Sequence, residues 1–498
     1  MKHLILLAAL VTPLSVMAET LYVDQNIGSN CSNYKPASRS CGAGTNQAFS
    51  NINAGLSALV SGDTLILRGG SYDQLNIQKS GTASQPIIIQ GASDESVLVS
   101  SDNVAIKILN KAHVTIRDMK IKNVQGFGRI ENSTGITFES IAFNSALAGG
   151  TTGSLKFVSS SHNRVINNTF SDGSDLLILQ DDSNFNLLQG NKFALSHHSS
   201  ISIRCSSQNV LRDNQFNNPD QKAMEIYDCE GVSDAPFRLD HSKRNLIEGN
   251  RFMGTRATSR NYKYNAIQHG AQQTIVRHNV FTDNLGGGVN FQYYGDESIN
   301  VYGNRLYNNT FYHNRCYGII GNSGPSQKYY DNRVVNNLLY DNSNCSGGSG
   351  QILIQDPKLV ILSNNSQVNS DPGFTDAQKR DLTLTANSRQ IDAGAYVAQA
   401  AFKGSGRSLV VDDASWFSDG FGISGVTGDH IRIQGRNDVA TIVAINYATN
   451  TLTLSTALVW KSGDGVHLNY SGNAPDVGAF EFGLEDANDA NMARLNPT

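Results

Sequence analysis

The chain has 498 residues, of which 39% are hydrophobic and only 16% charged, with 46 glycines and 2 tryptophans. A formal charge of −4 removes the overall basicity expected of a nucleic-acid binder, so a polyanionic partner would need a local basic patch. Beyond its first residues no stretch is apolar over the roughly 20 positions that a spanning helix needs, which argues against membrane insertion.

The opening stretch "MKHLILLAALVTPLSVMAET" joins Lys2 and His3 to a short apolar run ending in Val16-Met17-Ala18. It is expected to be a signal peptide over residues 1–18, which places the mature protein in a periplasm or outside the cell. Export permits disulfides, and the six cysteines suggest the pairs Cys31 with Cys41, Cys205 with Cys229 and Cys316 with Cys345. In the next segment Phe49, Ile52, Leu56 and Leu59 fall at helical spacing before the strand-like "DTLILRGG". That predicts an N-terminal helical cap.

From "VINNTF" onward an Asn two residues before a Phe recurs at Phe170, Phe193, Phe216, Phe252, Phe281 and Phe311. The first intervals are 23 residues, and each unit holds strand patterns such as "LLILQ", "ISIRC" and "VNFQY" without a helix between them. Such a unit is one rung of a parallel β-helix, a solenoid in which each rung buries its apolar face on the next. Stacked Phe would fill the interior. Stacked Asn would form an amide ladder at a bend, where Asn tolerates a left-handed backbone. The coil with its cap is expected over residues 19–400. Residues 401–470, with "SLVVDDASWF", "HIRIQG" and "TLTLSTAL", read as a small inserted β module, followed by a closing strand and tail over 471–498.

Together "SGDTLILRGGSYDQLNI", the Asn-x-Phe rungs, "SDPGF" and "PDVGAFEF" resemble exported right-handed parallel β-helix proteins, many of them carbohydrate-active. The expected fold is therefore all-β, a right-handed parallel β-helix with a helical cap and a late β module. Within that class "SSISIRCSSQNVLRDNQFNN" is similar to the catalytic rungs of the chondroitinase B and alginate lyase group. Arg204 stands where that family carries a catalytic lysine, Gln268-His269-Gly270 is the nearest match to its Arg-His-Gly triplet, and His198, Ser199 and Ser200 occupy the place of its acidic calcium ligands.

Two long rungs, Phe216 to Phe252 and Phe252 to Phe281, concentrate unusual polar groups, as walls of a site often do. For β-elimination of a uronate polymer, Arg204 or a bound cation would neutralise the carboxylate. Lys222, Lys263 or His269 would take the proton, and Tyr227 or Tyr264 would protonate the leaving oxygen. Arg256, Arg260, Tyr264, Asn265, Asn290 and Gln292 are candidate sugar contacts. If a metal binds, calcium on Glu225, Asp228 and Asp181 is expected; no other cofactor is. A hydrolase would instead need two flanking carboxyl groups, best supplied by Asp181 with Asp228. A non-catalytic carbohydrate-binding solenoid is the third reading. Two strand registers compete: one aligns Ser202 with Lys156, the other Arg204 with Asp228.

Overall fold

Alternating buried and partly exposed positions, as along Ile106–Leu109, recur along most early strands and wind the chain into a coil of three parallel sheets. The computed structural model describes residues 18–484 except 94, 102–103, 124, 146–152, 229–241, 257–263 and 294–299. The expected signal peptide, apart from Ala18, and the tail from 485 lie outside the described residues. Sheet A runs from Thr64–Leu67 through Ile87–Gly91, Leu187–Gln189 and Ile275–Arg277 to Val360–Ser363. Sheet B runs from Gly70–Tyr72 through Gln215–Asn217 and Val280–Thr282 to Ser366–Val368. Sheet C holds Leu75–Ile77, Ile106–Leu109, Gly128–Glu131, Leu155–Val158, Lys222–Tyr227, Ile267–Gly270, Val289–Phe291, Ile319–Gly321 and Ile352–Ile354. Two long strands, Thr169–Gln180 and Lys192–Arg204, bend from sheet B into sheet C. Each rung returns to pair in parallel with its predecessor, the connection that is right-handed in nearly all proteins. The protein is a right-handed parallel β-helix.

The recurring Phe residues do stack. From Phe143 through Phe170, Phe193, Phe216, Phe252 and Phe281 to Phe311 the rings lie 4.6–5.0 Å apart at 3–8°. Isolated aromatic pairs prefer offset or edge contacts; here the rung spacing of about 4.8 Å imposes the face-to-face stack. The Asn ladder lies between sheets A and B, where the Asn214 amide donates to Asn250 Oδ1 at 2.9 Å and the Asn250 amide to Asn279 Oδ1 at 3.0 Å. Each Oδ1 also accepts the backbone N–H of the preceding Asn. The left-handed residue is not the ladder Asn but its predecessor, for example Asp213 (φ 57), Gly249 (φ 64) and His278 (φ 52). Further ladders join Asn186 to Asn209 and Asn245, and Asn284 to Asn314 and Asn342. They keep buried amides paired through the coil, where an unpaired one would cost about 1–3 kcal/mol.

The first rung is closed by the helix Ile52–Ala58, whose N-cap Asn51 accepts from Ala54 N at 2.9 Å. Gly55 lies against Val23: a Cβ there would sit 2.6 Å from Val23 Cγ2. Disulfides join Cys31 to Cys41 and Cys316 to Cys345. Cys205 is also disulfide-bonded, while Cys229 lies outside the described residues. Among the described residues no helix is long and apolar enough to cross a membrane.

Two of the three outer walls are covered in part. A six-stranded sheet built from Ala398–Gln399, Gly404–Val410, His430–Ile433, Val439–Asn446, Thr451–Trp460 and Gly465–Leu468 packs on sheet A. Its Trp416, Phe417 and Ile423 share a core with the outward Leu187, Val210, Leu246, Ile275 and Tyr307. Late in sheet B, Val280 and Leu338 are covered by Phe374, Leu382, Leu384, Val477 and Phe480. Neither of these two apolar clusters includes a residue from a sheet C strand.

Candidate functional site

On sheet C, parity decides which side chains reach the outer wall. Ile201, Ile203, Met224, Ile226, Ile267, Val289 and Phe291 belong to the core, so the residues between them face outward. The outward row Lys156, Ile178, Ser202, Glu225, Gln268, Asn290 is continuous in register. Arg204 aligns with Tyr227, not with Asp228, so the register that aligns Ser202 with Lys156 is the one adopted.

Beside this row lies a cluster of two acids and two bases. At its entry the strand Lys222–Tyr227 is bulged, because Ala223 N and Met224 N both donate to Ala266 O, at 3.1 and 2.8 Å. Lys222 and Glu225, three positions apart, therefore share a face, and Lys222 Nζ donates to Glu225 Oε1. Glu225 is 1% exposed and also accepts from Ser199 Oγ at 3.2 Å. His198 Nδ1 lies 2.9 Å from Asp175 Oδ1, and its Nε2 4.0 Å from Glu225 Oε2. The Asp175 hydrogen bond outweighs burial and raises the pKa of His198 above its usual value. His197 Nδ1 makes a neighbouring contact of 2.6 Å with Asp220 Oδ2.

Arg204 is exposed, lies 5.6 Å from the Tyr227 ring centroid and has no carboxylate partner among the described residues. Among the described residues, fully buried Asn265 has no hydrogen-bond partner for either amide atom, and buried Ser202 Oγ and Gln268 Oε1 likewise have none. Such groups would be stabilised by a water or a ligand hydroxyl. Gln268 Nε2 donates to Gln292 Oε1 at 2.5 Å, with Asn290 Nδ2 3.4 Å from the same oxygen. Tyr264 is half-buried and Arg256 exposed. Lys263 and Arg260 lie outside the described residues.

Three expectations need correction. His269 points into the coil: it is fully buried, edge-on to Phe291 at 5.5 Å, and among the described residues neither ring nitrogen has a hydrogen-bond partner. Burial pushes its pKa down to about 4, so it is a neutral core residue and not a wall base. Asp228 is 1% exposed, and its carboxylate shapes a turn by accepting from Ser242 N at 3.2 Å and Gln272 Nε2 at 2.9 Å. Asp181 lies in a left-handed turn and accepts from Gln180 Nε2 at 3.1 Å. The ligand set Glu225, Asp228 and Asp181 therefore does not converge, and no group of three such side chains among the described residues could hold a metal ion. Nor can Asp228 serve with Asp181 as a flanking carboxyl pair.

Asp175 is the site residue that sequence reasoning overlooked. The signal was present: His198 lies 23 residues after Asp175, and Asp220 lies 23 after His197, each one rung away.

Residues 104–235 match the family model for the right handed beta helix region. No curated protein matches the chain. Among solved structures, the chain is similar to a PL6 family alginate lyase, AlyGC, at 16% identity, covering 64% of this chain and 51% of that one, with a TM-score of 0.46. It thus spans about half of that lyase's length. Pectate lyase Pel9A matches at 14% identity over 94% of this chain and 97% of its own, with a TM-score of 0.44. PfbA, a surface adhesin of Streptococcus pneumoniae, matches at 12% over 63% and 85%, with a TM-score of 0.41.

Proposed function

We propose that the sheet C wall binds an anionic, uronate-containing polysaccharide and cleaves it by β-elimination. The similar structures include both lyases and an adhesin, so the choice rests on the wall itself. What carries it is one combination on a single wall: Arg204, a cation with no carboxylate partner among the described residues, together with the His198–Asp175 and Lys222–Glu225 pairs. A neutral sugar does not offer that cation a countercharge. A uronate carboxylate does, and pairing it with Arg204 acidifies the adjacent C–H.

In this reading neutral His198 takes that proton. Its raised pKa makes it the stronger base, and Asp175 stabilises the imidazolium formed. The released electron pair forms the new C=C bond, the glycosidic C–O bond breaks, and the leaving oxygen takes a proton from the Tyr227 hydroxyl. Lys222 compensates the charge of Glu225, and Glu225 in turn holds His198 in place. Ultraviolet absorbance of the unsaturated end, followed with alginate, pectate, chondroitin and glucuronan with and without calcium, tests the reading. A rise that His198→Asn and Arg204→Ala abolish is expected. Reducing ends without absorbance would replace the lyase with a hydrolase, and neither signal on any polymer would leave a binding solenoid.

A further inference from the structure

The outward row that carries Ser202 and Glu225 continues toward the N-terminal end of the coil as Lys107, Arg129 and Lys156, on successive rungs in exact register. Rungs are about 4.8 Å apart, so this is a line of cations parallel to the coil axis and pointed at the site. Arg129 is exposed and shares its charge with Glu131, at 2.5 Å on the same strand. Lys107 and Lys156 are partly exposed and have no carboxylate partner among the described residues. Between them Phe127, itself partly exposed, is laid against the backbone of Gly153, where a Cβ would fall 2.0 Å from its Cε1. An aromatic face beside a line of cations offers an acidic sugar both stacking and charge contacts.

We infer that Lys107, Arg129 and Lys156 form a binding row that holds an anionic polysaccharide lengthwise along the coil, extending contact several sugar units beyond the reacting bond. The inference rests on the proposed function for the direction in which the chain leaves the site, but not for its charge. A nucleic acid is the other polyanion that could lie there. The overall charge of −4 and the neutral and acidic groups Ser202, Glu225 and Gln268 further along the row favour widely spaced carboxylates over a dense phosphate backbone.

The test is binding of uronate oligomers of increasing length to the full mature protein, read by calorimetry at two salt concentrations. Wild-type affinity should rise about tenfold once the oligomer is long enough to reach Lys156 and beyond, with a steeper salt dependence. The triple variant Lys107→Gln/Arg129→Gln/Lys156→Gln should lose that rise, and Lys122→Gln, which removes a cation from the outer face of sheet B, should keep it. Should the triple variant not fold, Lys156→Gln alone reads the same dependence. An unchanged rise in the variants, or no rise in the wild type, overturns the inference. Equal affinity for an oligodeoxynucleotide of matched charge overturns the polysaccharide assignment. Because the readout is binding, a chain that is held but never cut would refute the lyase and leave the row standing.

Discussion

Sheets A and C share one coil and one inward pattern, yet treat their outward charges in opposite ways. On sheet A, Arg277 is 4% exposed and locked between Glu248, at 2.7 Å, and Asp429 of the covering module, at 2.5 Å, with Tyr307 Oη at 2.9 Å. Arg305 bridges Asp331 at 3.0 Å and Asp413 at 2.9 Å in the same way. On sheet C, Arg204 has no carboxylate partner among the described residues, and His198, paired with Asp175, keeps a side chain 35% exposed. Cations held between two carboxylates fasten a module to sheet A; Arg204 on sheet C is left for something that comes and goes.

The largest effect that could break this contrast is on sheet A. Arg277→Ala strips Glu248 and Asp429 of their shared cation in a buried interface, and should cost about 3–5 kcal/mol in denaturant unfolding. A loss below about 1 kcal/mol would mean that the module is held by its apolar contacts alone. On sheet C the same kind of truncation should hardly move stability while removing function. His198→Asn is expected to lower cleavage about 10²–10⁴-fold with little change in unfolding, the range for losing a general base. An unchanged rate would exclude His198 from the reaction.

The interior gives an intermediate effect common to both walls. Asn214→Ala removes the acceptor for Asn191 Nδ2, at 3.0 Å, and the donor to Asn250 Oδ1, at 2.9 Å. It should cost about 1–3 kcal/mol by chemical denaturation, and a near-zero cost would show that the ladder records register without stabilising it.

That interior was also the most legible part of the sequence. Phe and Asn repeat because each must meet its own kind one rung later, and the repeat is visible in one dimension. The wall is harder to read, since a side chain's role there depends on parity and on what lies a rung away. Ile267 and His269 repeat the inward parity of Met224 and Ile226, which a likeness of motif overrode when it placed His269 on the wall. Asp228 looked like a ligand because its turn partners, Ser242, Gln272 and Asn300, come from later rungs. Covering of sheet A by residues from beyond 397 left no trace in the local pattern of either partner.

The smallest effect distinguishes the walls by pH. Burial works to raise the pKa of Glu248, but the charge and hydrogen bonds of Arg277 outweigh it and hold the carboxyl below its usual value of 4.5. Its contribution to stability is therefore present above that value and disappears on acidification through the lower, folded one. His198 runs the other way. Raised from 6.5 chiefly by its hydrogen bond to Asp175, it stabilises the fold fully below pH 6.5 and ceases to do so as pH rises through the folded value. Unfolding of Asp175→Asn and of wild type should thus differ near pH 5.5 and converge by about pH 9, whereas Glu248→Gln and wild type should differ at neutral pH and converge only in strong acid. The His198 difference should be the smaller, because solvent screens a partly exposed pair. Differences that persist for Asp175→Asn at high pH would show that Asp175 supports the strand without titrating with His198, and the base assigned to the wall would lose its partner.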